Sequence, residues 1–511
     1  MKSTRLALAG ALLSTLALAS FVAMAQTRPQ PEGPGAERAR RLPVKLHPHD
    51  IDQTFIRMPL PPGHEKYGRL DGARMKQFVR EITAISIKSR DAGDLMWGRI
   101  AGTKYDDMVE GLVESKFREM GLENVNRQYF DLPPQWFPIK ADVSVSANDR
   151  TLKFETLQVG RGAGATPAGG IDLDVVWAGL GSEADFLGKD VKGKLVVLKS
   201  YPTPSVVGHS AGWNGAFQRA ADKGAAAVVV NLAIPGNVRT AMGAARQLPT
   251  FSIGTEDMNG FQELIERGPV KAHVELATEM RPGLRDASVW GTLPGTTDED
   301  IIVMAHHDAF FEGATDNASG MAVMLGLAEY YAKIPKAQRR RTLKFVTTSG
   351  HHVGSDGTRW MHEHKDTFLA KTALLINCEH VSAIQMHFDR FGPGLRRSNN
   401  ISARRWWVHG SDALASKVLA AYKTFGVTIY EDMDTTTTGD MSHIDRDAPS
   451  VQLIESPLFY HTDRDNPDYV PAPGLESIAR AYAKIIDEAN TLERAALMPT
   501  PVTPPTGSAA R

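Results

Sequence analysis

Ile301-Ile302-Val303-Met304-Ala305-His306-His307-Asp308, with Asp316-Asn317-Ala318-Ser319-Gly320 following eight residues after Asp308, is the stretch on which the fold of this chain turns. Its apolar run reads as a buried strand. The histidines and aspartates then fall at the strand's end, where α/β proteins collect their metal and catalytic groups. Imidazole nitrogen and carboxylate oxygen are donors that zinc accepts.

Three more apolar runs lead to donor clusters in the same way. Leu343–Val346 leads into Ser349-Gly350-His351-His352-Val353-Gly354-Ser355, Ala373–Cys378 into Glu379-His380, and Val451–Ile454 is followed by Tyr460-His461-Thr462. From Ala287 onward strand, loop and helix patterns alternate, which predicts an α/β fold with a mostly parallel sheet covered by helices. A core-facing helix is expected from Met321 to Ala332, where Met324, Leu327, Ala328 and Tyr331 share a face. A last helix runs through Leu475, Ile478, Tyr482 and Ile485. Near the start, Asp71 is placed to cap a helix through Met75, Phe78, Val79, Ile82 and Ile85, and Gly121 to stop another that begins at Asp106. Seven of the 16 histidines fall in the site region: His306, His307, His351, His352, His380, His443 and His461. Adjacent side chains at a strand end point opposite ways, so one member of each doublet should face the site. His307 and His380 are the ones expected to turn away.

The bulk composition is that of a soluble globular protein, 42% hydrophobic and 23% charged. Lys and Arg number 58 against 59 Asp and Glu, so no global field recruits nucleic acid or an anionic membrane. Cys378 is the only cysteine, which excludes an intrachain disulfide, and its apolar setting reads as a buried, inert thiol. At the N-terminus, Lys2 and Arg5 precede an apolar stretch from Leu6 to Ala23, and Ala23-Met24-Ala25 fits a cleavage site. This is the pattern of a signal peptide cut after Ala25, which implies a periplasmic or secreted protein with no stable membrane insertion afterwards.

The chain divides by pattern into a signal segment (1–25), an extended Pro-, Arg- and Gly-rich arm (26–60), the N-terminal part of the main domain (61–154), a small β-rich insertion (155–280), the main α/β domain (281–495) and a disordered tail (496–511). His209, inside the insertion, reads as a loop histidine.

The order of these motifs resembles the di-zinc exopeptidases that include bacterial leucyl aminopeptidases and glutamate carboxypeptidase. The resemblance spans residues 95–490 and is most specific in Asp316-Asn317-Ala318-Ser319-Gly320. Val191-Lys192-Gly193-Lys194-Leu195-Val196-Val197 is similar to the protease-associated domain often inserted in these enzymes. The resemblance implies His306 and His461 as ligands of two different zinc ions, Asp316 as their bridge, and Asp308 as the residue that orients His306. Where the family carries Gly-Glu-Glu, a base followed by a ligand, this chain has Gly350-His351-His352. Where the family has a further aspartate ligand, this chain has Glu379. His351 thus stands at the position of the base, and His352 and Glu379 at ligand positions. Thr435–His443 lies where the family places a loop that faces substrate, and either Asp440 or His443 could contact substrate or supply a replacement base.

The function implied is a zinc-dependent exopeptidase of the aminopeptidase type, secreted or periplasmic, hydrolysing peptide bonds with metal-activated water and one or two zinc ions per chain. Its partner would be a peptide or amide substrate. Two other readings stand beside it: a pseudo-peptidase acting as a metal-binding or interaction protein, because His351 replaces the glutamate base, and a different amide or ester hydrolase on the same scaffold, because the specificity pocket is not legible in the sequence.

Overall fold

The computed structural model describes Asp52, Phe55 and residues 59–202, 215–388, 394–455 and 457–499. The expected signal segment, nearly all of the arm, His209 and most of the tail lie outside the described residues. The apolar runs of the main domain become strands of one seven-stranded sheet: β1 (Glu123–Asp131), β2 (Arg285–Leu293), β3 (Asp300–His306), β4 (Thr342–Thr348), β5 (Thr372–Cys378), β6 (Arg405–His409) and β7 (Ser450–Ile454). Their order is β6-β7-β5-β3-β4-β2-β1. The central four run parallel, while β6, β2 and β1 join antiparallel at the edges. β3, β5 and β7 are buried along their whole length, which is why they read as continuous apolar runs rather than alternating ones.

Helices cover both faces. They are α1 (Gly72–Asp91), α2 (Lys104–Glu119), α3 (Gly320–Ala332), α4 (Asp356–Glu363), α5 (Asp412–Thr424) and α6 (Ala472–Ala489). On one face Ile301, Val303 and Ala305 of β3 pack with Phe117 of α2, Met324 of α3 and Ile478 of α6. On the other, Ile302 and Met304 pack with Met361 of α4. The pleat therefore sends His306 and His307 to opposite sides of the sheet. Asp71 caps α1, its carboxylate accepting from the Ala73 N–H at 2.8 Å. The residue after it must be glycine, because a Cβ on Gly72 would lie 2.1 Å from the Ala472 carbonyl oxygen where α1 meets α6.

A second sheet of eight strands is drawn from residues 135–281. Its middle is parallel, joining Ile171–Trp177, Leu195–Ser200, Ala227–Leu232 and Thr250–Ile253. One side is closed by Lys271–Arg281, which pairs antiparallel with Gln135–Ala147. The strands Gln135–Ala147 and Arg150–Lys153 thus belong to this sheet, although they precede residue 155. No helix among the described residues is long and apolar enough to cross a membrane.

Candidate metal centre

The loop between β3 and α3 carries Asp316 and is held from three directions. The Asp465 carboxylate accepts from the N–H groups of Thr315 (2.8 Å) and Asp316 (3.1 Å). The Asn317 amide donates to the Cys378 carbonyl (2.9 Å), and its oxygen accepts from the His380 and Gly320 N–H groups. Ser319 Oγ accepts from the Val381 N–H. A Cβ on Gly320 would fall 2.0 Å from the Cys378 carbonyl, so the approach of α3 to the end of β5 requires glycine. This is the physical content of Asp316-Asn317-Ala318-Ser319-Gly320: it fastens one carboxylate over the ends of β3 and β5.

Four imidazoles converge on that carboxylate. His380 Nε2 lies 3.0 Å and His306 Nε2 3.3 Å from Oδ1 of Asp316. His461 Nε2 lies 3.0 Å and His352 Nε2 3.3 Å from Oδ2, and these two nitrogens are 3.1 Å apart. Three of the rings have their other nitrogen committed to an oxygen acceptor. Nδ1 of His380 donates to the Glu455 carbonyl (2.8 Å), that of His352 to the Asp308 carboxylate (3.0 Å), and that of His306 to the Asp308 carbonyl (3.2 Å). Such partners set the tautomer, leaving the Nε2 lone pairs aimed at Asp316. Lone pairs converging on a carboxylate repel unless positive charge sits between them. Among the described residues, His306 Nε2 is fully buried without a hydrogen-bond partner.

Burial opposes charge on His306, yet Asp308 and Asp316 together raise it to about 9. His352 and His380 are raised against the same burial by the carboxylates around them. Burial drives Asp316 upward, but His380, His352 and His306 outweigh it and hold the carboxyl well below its ordinary range. His461 goes the other way, to about 3: burial disfavours its charge, and His352 and His380 add to that against the pull of Asp316. The pocket attracts positive charge but has no room for a proton on every ring.

Beside this group His351 lies flat on His306, ring centroids 3.8 Å apart and planes within 9°. Its Nδ1 donates to Asp440 Oδ1 at 2.8 Å, and Thr348 Oγ donates to the second oxygen of Asp440. Its Nε2 is 3.8 Å from Glu379 Oε1. Burial and the neighbouring His306 act against charge on His351, and Asp440 and Glu379 raise it overall.

The residues singled out in the sequence are brought together with two differences of geometry. Asp308 is nearer to His352 than to His306. Its carboxylate accepts from the N–H groups of His351 and His352 as well as from His352 Nδ1, and stands 3.5 Å from His306 Nδ1. Glu379 offers one oxygen together with His306 and His351 in a group that could hold an ion, while its carboxylate also accepts from Asn377 (2.8 Å) and Gln452 (2.9 Å) and lies against Gly439. His380, expected to turn away, occupies the place beside Asp316. Strand alternation ends with Cys378, and His380 has the left-handed φ of 47°, which swings its ring back. Of the two rim residues, Asp440 meets His351, whereas His443 is exposed. Asp465 orients the loop through its two hydrogen bonds to Thr315 and Asp316. A cavity of about 70 Å³ adjoins Asp308 and His352, walled by Met96, Trp136, Phe137, Arg161 and Phe310.

Residues 288–486 match the family model of Peptidase family M28. The chain is 22% identical over 415 residues to Aminopeptidase YwaD of Bacillus subtilis (strain 168), covering 78% of this chain and 82% of that protein. Among solved structures it resembles BSAP, a zinc aminopeptidase from Bacillus subtilis, with a TM-score of 0.60 at 18% identity over 86% of this chain and 99% of that one. A Peptidase M28 precursor from Shewanella amazonensis SB2B gives a TM-score of 0.65 at 18% identity, over 83% and 95% of the two chains. These structures share the α/β fold described above. The family match, the motif order and this shared fold thus make residues 288–486 similar to Peptidase family M28.

Proposed function

We propose that this protein is an exported, zinc-dependent exopeptidase of the aminopeptidase type, with residues 155–280 acting as a protease-associated insertion. The observation that carries the reading is the Asp316 carboxylate, each of whose oxygens faces two imidazole nitrogens. The donor set fits a pair of divalent ions. His306, His380 and Asp316 would hold one, and His352, His461 and Asp316 the other. Nitrogen and oxygen donors of this kind suit zinc, and three protein ligands per ion leave a position for substrate, the mark of a catalytic rather than a structural site. The likeness to BSAP, a zinc aminopeptidase, supports the same metal. Bound there, the ions supply Lewis-acid polarisation of a peptide carbonyl and acidify water.

The chain's own residues do the rest. His351 takes a proton at Nε2 from the water that attacks the peptide carbonyl, because its Nδ1–H is held by Asp440. The resulting imidazolium lies between Asp440 and Glu379, whose charges favour it, and it returns the proton to the leaving amine. A base oriented by one carboxylate and faced by another supports an active enzyme over an inert scaffold. Glu379 faces His351 and, with His306 and His351, also forms a donor group that could hold an ion. The cavity walled by Trp136, Phe137 and Phe310 would take an apolar side chain next to the scissile bond. Residues 1–25 support export.

Metal analysis and a panel of peptides blocked at either end test the reading. About two ions at the Asp316 centre and metal-dependent release of the N-terminal residue are expected. Failure of zinc-loaded protein to hydrolyse any aminoacyl or peptide substrate would overturn it.

A further inference from the structure

The other side of β3 carries a second cluster. His307 leaves the strand end away from His306 and points toward α2 and β2. Asp106 and Glu110 lie one turn apart on α2, so they share a face, and Asp286 sits on β2. All four are buried, none more than 2% exposed. His307 Nε2 is 3.4 Å from Asp106 Oδ1, 3.4 Å from Asp286 Oδ1 and 3.9 Å from Glu110 Oε1.

Some oxygens of this cluster have partners. Asp106 Oδ2 accepts from the Gly102 N–H (3.0 Å), and the Ala287 N–H serves Asp286 Oδ1 (2.7 Å) and Glu110 Oε1 (3.0 Å). Arg127 reaches Glu110 at 3.0 Å but is shared with Asp107 and Glu114. What remains is unsatisfied. Among the described residues, both ring nitrogens of His307, Asp106 Oδ1 and Asp286 Oδ2 are buried without a hydrogen-bond partner. A buried carboxylate or imidazole left bare is costly, and here four such atoms belong to three side chains aimed at one another.

We propose that Asp106, Glu110, Asp286 and His307 form a second, structural cation site for a divalent transition metal such as zinc or manganese, separate from the Asp316 centre. One donor atom from each residue can be chosen so that all lie within 4.8 Å of one another, the order of span that bonds of about 2.1 Å bring together around one ion. Three carboxylates supply the negative charge to match a dication, and the imidazole favours a transition metal over calcium or magnesium. An ion there ties α2, β2 and β3 together directly behind His306, holding the strand end that presents it.

The test is metal analysis of the full-length protein dialysed against zinc or manganese. Asp316→Asn should empty the paired centre yet retain one ion per chain, and Asp106→Asn with Asp286→Asn should lose one ion and keep the pair. If the paired-centre reading is the one that fails, wild type still holds one ion that disappears with Asp106→Asn and Asp286→Asn. Because these asparagines could impair folding, anomalous diffraction at the zinc and manganese edges on unaltered protein provides a second readout, with a peak among the four side chains expected. Metal content unmoved by the double substitution, or no peak between Asp286 and His307, overturns the proposal and leaves protonated carboxyls sharing hydrogen bonds in its place.

Discussion

On the proposed function, His351 and Asp440 bear most of the chemical weight at the scale of single residues. Removing the imidazole takes away the proton acceptor but none of the groups around Asp316. His351→Ala should therefore lower kcat by about 10²–10⁴-fold with metal content unchanged, read by steady-state kinetics beside elemental analysis. Asp440→Asn keeps the shape but deletes a charge that raises the His351 pKa. If His351 is the proposed base it must be neutral to act, so activity should rise with pH through that pKa. In Asp440→Asn the acid limb should move to lower pH while the plateau falls, which a pH profile of kcat measures; a limb that stays in place would mean that Asp440 only packs. The sequence exposed His306, Asp316, His352 and His461 because each closes a recognisable motif. It hid His380, since the rule of alternating faces applies inside a strand and the ring beside Asp316 sits just past one, at a positive φ.

At the scale of elements, strands and helices were legible wherever burial is uniform or periodic. β3, β5 and β7 are apolar along their length, and α1 announces itself by Asp71. Asp71→Ala should cost about 1 kcal/mol in urea unfolding, and Gly72→Ala should cost more, because its methyl would press on the Ala472 carbonyl. Less legible was β6, a short edge strand whose Arg405-Trp406-Trp407-Val408-His409 pattern is not a buried run. The loop carrying Asp316 depends on an element far away in sequence, since Asp465 caps it with two hydrogen bonds. Asp465→Ala should weaken retention of metal by about 10–100-fold, the usual cost of losing a group that orients a ligand, measured by competition with a chelator.

At the scale of the whole molecule the two sheets meet at one side of the centre. Backbone pairing joins the insertion to the His461 loop: Ala241 N–H donates to the His461 carbonyl at 2.8 Å, Asp463 N–H to the Arg239 carbonyl at 3.1 Å, and Thr240 bridges Thr462. Arg161, also from the insertion, donates to the His352 carbonyl at 2.8 Å and covers the Phe310 ring. Local sequence could not reveal this, nor that Gln135–Ala147 joins the insertion. Those residues pair with Lys271–Arg281, more than 120 positions later, and such pairings leave no periodic trace. The consequence is an asymmetry. His461 and His352 face the same oxygen of Asp316 and lean on the second sheet, whereas His306 and His380 are held within the α/β domain. Loosening the contact should therefore affect one ion more than the other. Ala241→Pro removes the N–H that supports His461, and chelator titration should then show one ion released about ten times more readily while its neighbour is retained. Equal weakening of both would mean that the insertion steadies the domain as a whole rather than the His461 side of the centre.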